Sequence, residues 1–347
     1  MELFHNDYNQ LCHPAVMAKM QNCASEQQPG YSEDTHCKIA AEKIRKICGN
    51  ENVAVHFLVG GTQTNLTVIV SSLRPHQGVL CADTAHINVH ETGAIEATGH
   101  KVITLPTKDG KISAADIREF VQLHRTSADA EHMAQPKMVY ISNPTELGTI
   151  YYLNELQEVS NTCRELGLYL FVDGARLGYG LTAADNDVTL TDLTALCDVF
   201  YIGGTKVGAM FGEAVVIPNP VIAEDFRYLI KQRGAMLAKG WTLGVQFDAL
   251  FENDLYFEIS RHANVCAEKI RKTLTAMNIP MLVQTTTNQL FPIMSDEVLD
   301  ELGKSFTFTE MGRIDATHRA IRFCTSWATS ADSVDRLCDK LAKLVEK

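Results

Sequence analysis

Val53-Ala54-Val55-His56-Phe57-Leu58-Val59-Gly60-Gly61-Thr62-Gln63-Thr64-Asn65-Leu66-Thr67-Val68-Ile69-Val70 is the stretch on which the fold turns. Residues 53 to 73 contain no Asp, Glu, Lys or Arg, a length that would suffice to cross a bilayer. The centre excludes that reading, because two amides and two hydroxyls would lie at mid-membrane and the paired glycines predict a turn. The segment reads instead as a short strand over 53–58, rich in β-branched and aromatic residues, then a glycine turn, then a buried helix running on through Leu66 to Val70.

Working outward, five further apolar runs repeat the strand pattern: residues 78–83, 101–105, 137–142, 168–173 and 198–203. Helical periodicity separates several of them, most clearly over 113–124 and 154–166. Strands alternating with helices predict an α/β fold, a mostly parallel sheet with helices on both faces. Near residue 250 the pattern changes to a long helix over 253–277, short alternating strands and helices, and an amphipathic helix over 331–346. The expected organisation is an N-terminal arm over 1–48 with its best helix from Cys37 to Ile47, a large α/β domain over 49–250 and a smaller C-terminal α+β domain over 251–347.

The 347 residues hold 31 Lys+Arg against 42 Asp+Glu, a formal charge of −11. Without a basic patch or arm, this excludes a nucleic-acid partner, whose affinity rests on clustered cations. Ten cysteines with no CxxC, in a chain long enough to need no disulfide staples, predict reduced and mostly buried thiols and a cytoplasmic protein. The start, Met1-Glu2-Leu3-Phe4-His5-Asn6-Asp7, has neither the basic residues nor the apolar run of a secretory signal, and no membrane association is expected.

In an open α/β sheet, ligands collect at the carboxyl ends of the strands. Gly60-Gly61-Thr62 lies there, where free N–H groups at a helix start and a Thr hydroxyl suit a phosphate. A tight structural turn is the alternative. Asp173-Gly174-Ala175-Arg176 ends a strand on a carboxylate, and a buried Asp needs a cationic or hydrogen-bonding partner. The simplest arrangement would pair Asp173 with Arg176. Gly203-Gly204-Thr205-Lys206 sets a lysine among small residues, where its pKa falls as a Schiff-base amine requires. His86 and His90 with Glu91 imitate a metal site, yet lack the HExxH order and a third ligand, so no metal is expected.

The order of Gly60-Gly61-Thr62, Ala85-His86-Ile87, Asp173-Gly174-Ala175-Arg176 and Thr205-Lys206 resembles the fold-type I pyridoxal-phosphate enzymes. Among these it is similar to the threonine aldolase / β-eliminating lyase family. The likeness covers almost the whole chain, from Asn6-Asp7 through Tyr31-Ser32-Glu33-Asp34 to Ile321-Arg322-Phe323. It implies pyridoxal 5′-phosphate as cofactor and retro-aldol cleavage of β-hydroxy-α-amino acids of the threonine or allo-threonine type, giving glycine and an aldehyde. Lys206 would bond the cofactor, Asp173 would pair with its ring nitrogen, and His86 would stack on the ring and accept the substrate hydroxyl proton. Gly60, Gly61, Thr62 and Thr205 would hold the phosphate, with Lys239 or Arg233 reaching that of a neighbouring subunit. Arg176, Arg322 and Asn6 would bind the substrate carboxylate, and the resemblance implies a homodimer or homotetramer.

Other chemistry on the same scaffold would be β-elimination, racemisation or transamination. A non-catalytic cofactor-binding regulator is disfavoured by the joint presence of Lys206, Asp173, Arg176 and His86. Two departures from the family pattern border the substrate: His5-Asn6-Asp7-Tyr8 replaces Arg-Ser-Asp-Thr, and Ser142-Asn143-Pro144-Thr145-Glu146 replaces Glu-Asn-Thr-His-Asn. They point to a side-chain preference other than threonine, phenylserine-like substrates among them. Trp241-Thr242 stands where many members have a basic residue.

Overall fold

A computed structural model describes residues 1–345. The strands, in chain order, are β1 (Glu2–Leu3), β2 (Ala54–Leu58), β3 (Gln77–Ala82), β4 (Lys101–Leu105), β5 (Gln135–Ser142), β6 (Tyr169–Asp173), β7 (Val199–Gly203) and β8 (Glu213–Ile217). They are followed by β9 (Gln289–Leu290), β10 (Ile293–Ser295), β11 (Phe306–Thr307), β12 (Thr309–Arg313) and β13 (His318–Cys324). Seven of them form one sheet in the order β2-β8-β7-β6-β5-β3-β4. The contacts among β3, β4, β5, β6 and β7 are parallel, while β8 runs antiparallel to both β2 and β7. All six expected runs are strands, and β8 is the addition. Every residue of β3, β7 and β8 is buried, as a sheet covered on both faces requires.

The helices start and stop where their sequences provide caps. Asp34 accepts a hydrogen bond from the Cys37 N–H to open Thr35–Cys48, and Gly49 ends it in the left-handed conformation at φ 66°. Ser113 and Asp116 form a reciprocal capping box for Ala114–Thr126, and Gly167 closes Leu153–Leu166 at φ 69°. Pro14–Asn22 and Thr35–Cys48 both pack against Trp241–Leu250.

A second core gathers Ile270 and Leu274 from the helix Leu255–Ala276, Leu290, Ile321 and Phe323 from the β9–β13 region, and Leu337 from Ala331–Val345. Phe4, from the far end of the sequence, is buried in the same core. It is carried there by β1, which pairs in parallel with β11. All ten cysteines are free and nine are buried.

Because β8 is reversed, its first residue, Glu213, lies at the same sheet edge as the last residues of β2, β5, β6 and β7. That edge holds the site.

Candidate active site

Three chain crossings at this edge are too tight for any side chain. A Cβ on Gly174 would lie 1.8 Å from the Tyr201 carbonyl oxygen, and one on Gly203 would lie 2.3 Å from that of Ala175. One on Gly204 would lie 2.7 Å from the Gly212 oxygen. The glycines let the loops after β6 and β7 pass against each other, which brings Asp173, Arg176, Thr205 and Lys206 to one cavity of about 180 Å³. Gly60, Gly61, Thr62, Asn65, His86, Glu146 and Glu213 also line it.

The helix Gly61–Ser72 points its N-terminus at this space. Its N-cap, Gly60, has no side chain to satisfy the first N–H groups, and a Cβ there would meet nothing within 4 Å. The open N–H groups and the helix dipole form an anion site. Gly61 is constrained differently: a Cβ would come within 3.2 Å of the Tyr201 hydroxyl, which is needed elsewhere.

That hydroxyl donates to Asp173 Oδ1 at 2.6 Å, alongside the Ala175 N–H at 2.9 Å. Oδ2 accepts from the Tyr140 hydroxyl and from Asn65 Nδ2 at 3.1 Å. Burial alone would raise the Asp173 pKa; His86 and these donors outweigh it and hold the carboxyl below its usual range. Asn65 also donates to Glu91 Oε1 at 2.7 Å, and the same oxygen meets His86 Nδ1 at 2.7 Å. One amide thus ties the carboxylate under the site to the carboxylate that orients the histidine.

Lys206 is half-buried at the cavity wall. Burial lowers its pKa and Arg176 adds to that, while Asp7, Asp173 and Glu213 oppose it. Beside it, the Thr205 hydroxyl accepts from the Gly212 N–H at 3.0 Å and donates to Glu213 Oε1 at 2.8 Å. The hydroxyl proton is therefore directed at Glu213. Burial pushes the Glu213 carboxyl up to about 8, against the Thr205 hydrogen bond and the Lys206 charge.

Arg176 does not pair with Asp173. Its Nε donates to Asp7 Oδ2 at 2.7 Å and its Nη2 to Oδ1 at 3.0 Å, and Asp7 also accepts from Asn288 Nδ2 at 3.0 Å. Arg322 on β13 reaches His5 O, Gln289 Oε1 and Thr309 Oγ1 at 3.1–3.4 Å, which leaves its buried Nε without a partner. Arg176, Arg322 and Lys206 all border a larger adjoining cavity of about 580 Å³, which shares His86, Glu146, Arg176 and Lys206 with the first.

Two candidates lie elsewhere. Asn6 turns its Oδ1 to the Tyr8 N–H at 3.0 Å and lines neither cavity, and Lys239 is exposed on the loop before Trp241–Leu250. Outside the cavities, Cys23, Glu26 and His36 bring ligand-type atoms within 4.8 Å of one another. The residues missed by reading the sequence are Glu213, Tyr140 and Tyr201, with Glu146 noticed only as a departure. For Glu213 the available signal was an acidic residue opening the short apolar run Ala214-Val215-Val216-Ile217 between Gly212 and Pro218.

Residues 10–297 match the family described as beta-eliminating lyase. A low specificity L-threonine aldolase of Pseudomonas sp. is 32% identical over 96% of this chain and 94% of its own length. The solved structure of a threonine aldolase from Leishmania major is 44% identical, covers 99% of this chain and all of its own, and superposes with a TM-score of 0.97. A serine palmitoyltransferase from Sphingomonas wittichii shares the fold at 15% identity, with a TM-score of 0.75 over 99% of this chain and 87% of its own. Among the described residues, no helix is long and apolar enough to cross a membrane.

Proposed function

We propose a carbon–carbon lyase reaction from one premise: the chain belongs to the beta-eliminating lyase family. The reaction is retro-aldol cleavage of β-hydroxy-α-amino acids of the threonine or allo-threonine type to glycine and an aldehyde. The observation that carries the reading is one cavity lined by a lysine of lowered pKa, a buried carboxylate held by four hydrogen bonds and an uncapped helix N-terminus. A cationic ring nitrogen, an aldehyde and a phosphate are the partners such groups fit, and pyridoxal 5′-phosphate presents all three. When bound, it supplies an acceptor for the electron pair of a bond broken at Cα.

The chain's residues do the rest. Lys206 is the amine that holds the cofactor, and Asp173 stays ionised opposite the ring nitrogen. Gly60, Gly61 and Thr62 hold the phosphate through N–H groups and a hydroxyl, with Thr205 beside them. His86, oriented by Glu91, would stack on the ring. Arg176 and Arg322 grip the substrate carboxylate, fixing which bond of Cα stands perpendicular to the ring. Asn6, on the arm, lines neither cavity and is given no part in holding that carboxylate. The arm (1–48), large domain (49–250) and small domain (251–347) form the working unit in a cytoplasmic homodimer or homotetramer, with Lys239 or Arg233 directed at a neighbouring phosphate.

Borohydride treatment of the purified holoenzyme tests this: the peptide containing Lys206 should gain the mass of the reduced cofactor, and Lys206→Ala should not. A coupled aldehyde reductase should report aldehyde from threonine or phenylserine. Pyruvate from serine or cysteine, with no aldehyde from any β-hydroxy amino acid, would replace this reading by β-elimination.

A further inference from the structure

We propose that Glu146 is the base that removes the β-hydroxyl proton of the amino-acid substrate. The inference rests on the retro-aldol reading above and identifies which side chain performs its proton transfer.

Glu146 sits in the loop after β5, at the carboxyl edge of the sheet, and borders both cavities. Its Oε1 is fixed by the His86 N–H at 2.9 Å and the Ser142 hydroxyl at 2.6 Å. Its Oε2 has no hydrogen-bond partner among the described residues, so one lone-pair oxygen is available on a carboxylate held by the other. The two arginines that would grip the substrate carboxylate and the lysine at its amine end border the larger cavity together with Glu146. With two substituents of Cα held by those cations, the third, bearing the hydroxyl, extends along the wall shared by the two cavities, where His86 and Glu146 stand. His86 also stands at this wall, its Nδ1 held by Glu91 and its ring assigned above to the cofactor.

The electrostatics agree. Burial raises the Glu146 pKa and Asp173 adds to it, against the Ser142 hydrogen bond, making the carboxylate a stronger base than an exposed one. The other acidic groups at these walls are Asp83, Glu213 and Glu310, and the cationic or titratable ones are His86, His90, Lys206, Arg176, Arg322, Tyr8 and Tyr201.

The transfer balances without a further reactant. The O–H proton moves to Glu146 Oε2, and the O–H pair becomes the second bond of the aldehyde C=O. The Cα–Cβ bond breaks, its pair stays with the glycine fragment, and one proton is added at Cα.

The experiment compares wild type with Glu146→Gln, which keeps the shape and the Oε1 contacts. It measures kcat for cleavage of threonine and phenylserine, and separately the exchange of the glycine α-proton in deuterated water, which involves no hydroxyl. Loss of cleavage by 100-fold or more, with glycine exchange within about threefold of wild type, is the expected result. Cleavage by Glu146→Gln within threefold of wild type overturns the assignment, and so does a parallel loss of cleavage and exchange. Ser142→Ala should move the acidic limb of the cleavage pH profile upward, since it removes a donor that lowers the Glu146 pKa; an unmoved limb counts against the proposal. Wild type that exchanges glycine but cleaves no β-hydroxy amino acid would instead overturn the retro-aldol reading, and the role of Glu146 with it.

Discussion

Asp7 and Arg176 are 169 residues apart in the chain, yet they make a two-point charge pairing at the site. Asp7 is buried and Arg176 largely so, and they are hydrogen-bonded through two atoms each, so each is the other's compensation for leaving water. Asp7→Ala would leave a guanidinium buried and unpaired, costing about 3–5 kcal/mol. Urea unfolding should register that loss, and added glycine should recover more stability in the variant than in wild type, because its carboxylate takes over the empty side. Equal ligand shifts in the two proteins would mean that the carboxylate does not take the place of Asp7 on Arg176. Lys206 and Asp173 were legible from the sequence because their local setting, a charge at the end of an apolar strand, is itself the signal. Asp7, Glu146 and Glu213 were not, because their meaning lies in partners that spacing along the chain does not encode.

At the scale of elements, the strands and the long helices were readable because their periodicities are continuous. The run 253–277 became Leu255–Ala276, and 331–346 became Ala331–Val345. β8 escaped because it is one charge followed by four apolar residues, and nothing in that pattern reports its reversed direction. Glycines at loop crossings carry the tolerances between elements. Gly174→Ala would force a methyl group to within 1.8 Å of the Tyr201 oxygen, and relief must separate the loops after β6 and β7. We expect a loss of about 3 kcal/mol or more, with weakened cofactor absorbance, since Asp173 and Lys206 part together. Gly167→Ala, where the added Cβ meets nothing within 4 Å and only the φ of 69° is strained, should cost about 1 kcal/mol and leave the absorbance intact. Thermal melts of the two holoenzymes check the contrast.

For the whole molecule, the net charge of −11 describes the exterior, while Lys206, Arg176 and Arg322 concentrate positive charge at one internal edge. Global stability should also carry the mark of His56, whose pKa burial, with help from Arg227 and Arg45, lowers from 6.5 to about 4. Between those values the unfolded chain binds more protons than the folded one, so stability falls as the solution is acidified. From pH 7 to pH 5 this one group accounts for about 2 kcal/mol, and His56→Phe should lose correspondingly less over that range in urea titrations. An identical loss in both proteins would assign the acid sensitivity elsewhere. The parallel pairing of β1 with β11, together with the hydrogen bond from Cys324 N–H to the Phe4 oxygen, has a consequence for biosynthesis. β1 has no partner strand until β11, some three hundred residues later in the chain, has been translated. The nascent chain must therefore hold β1 in reserve until β11 emerges.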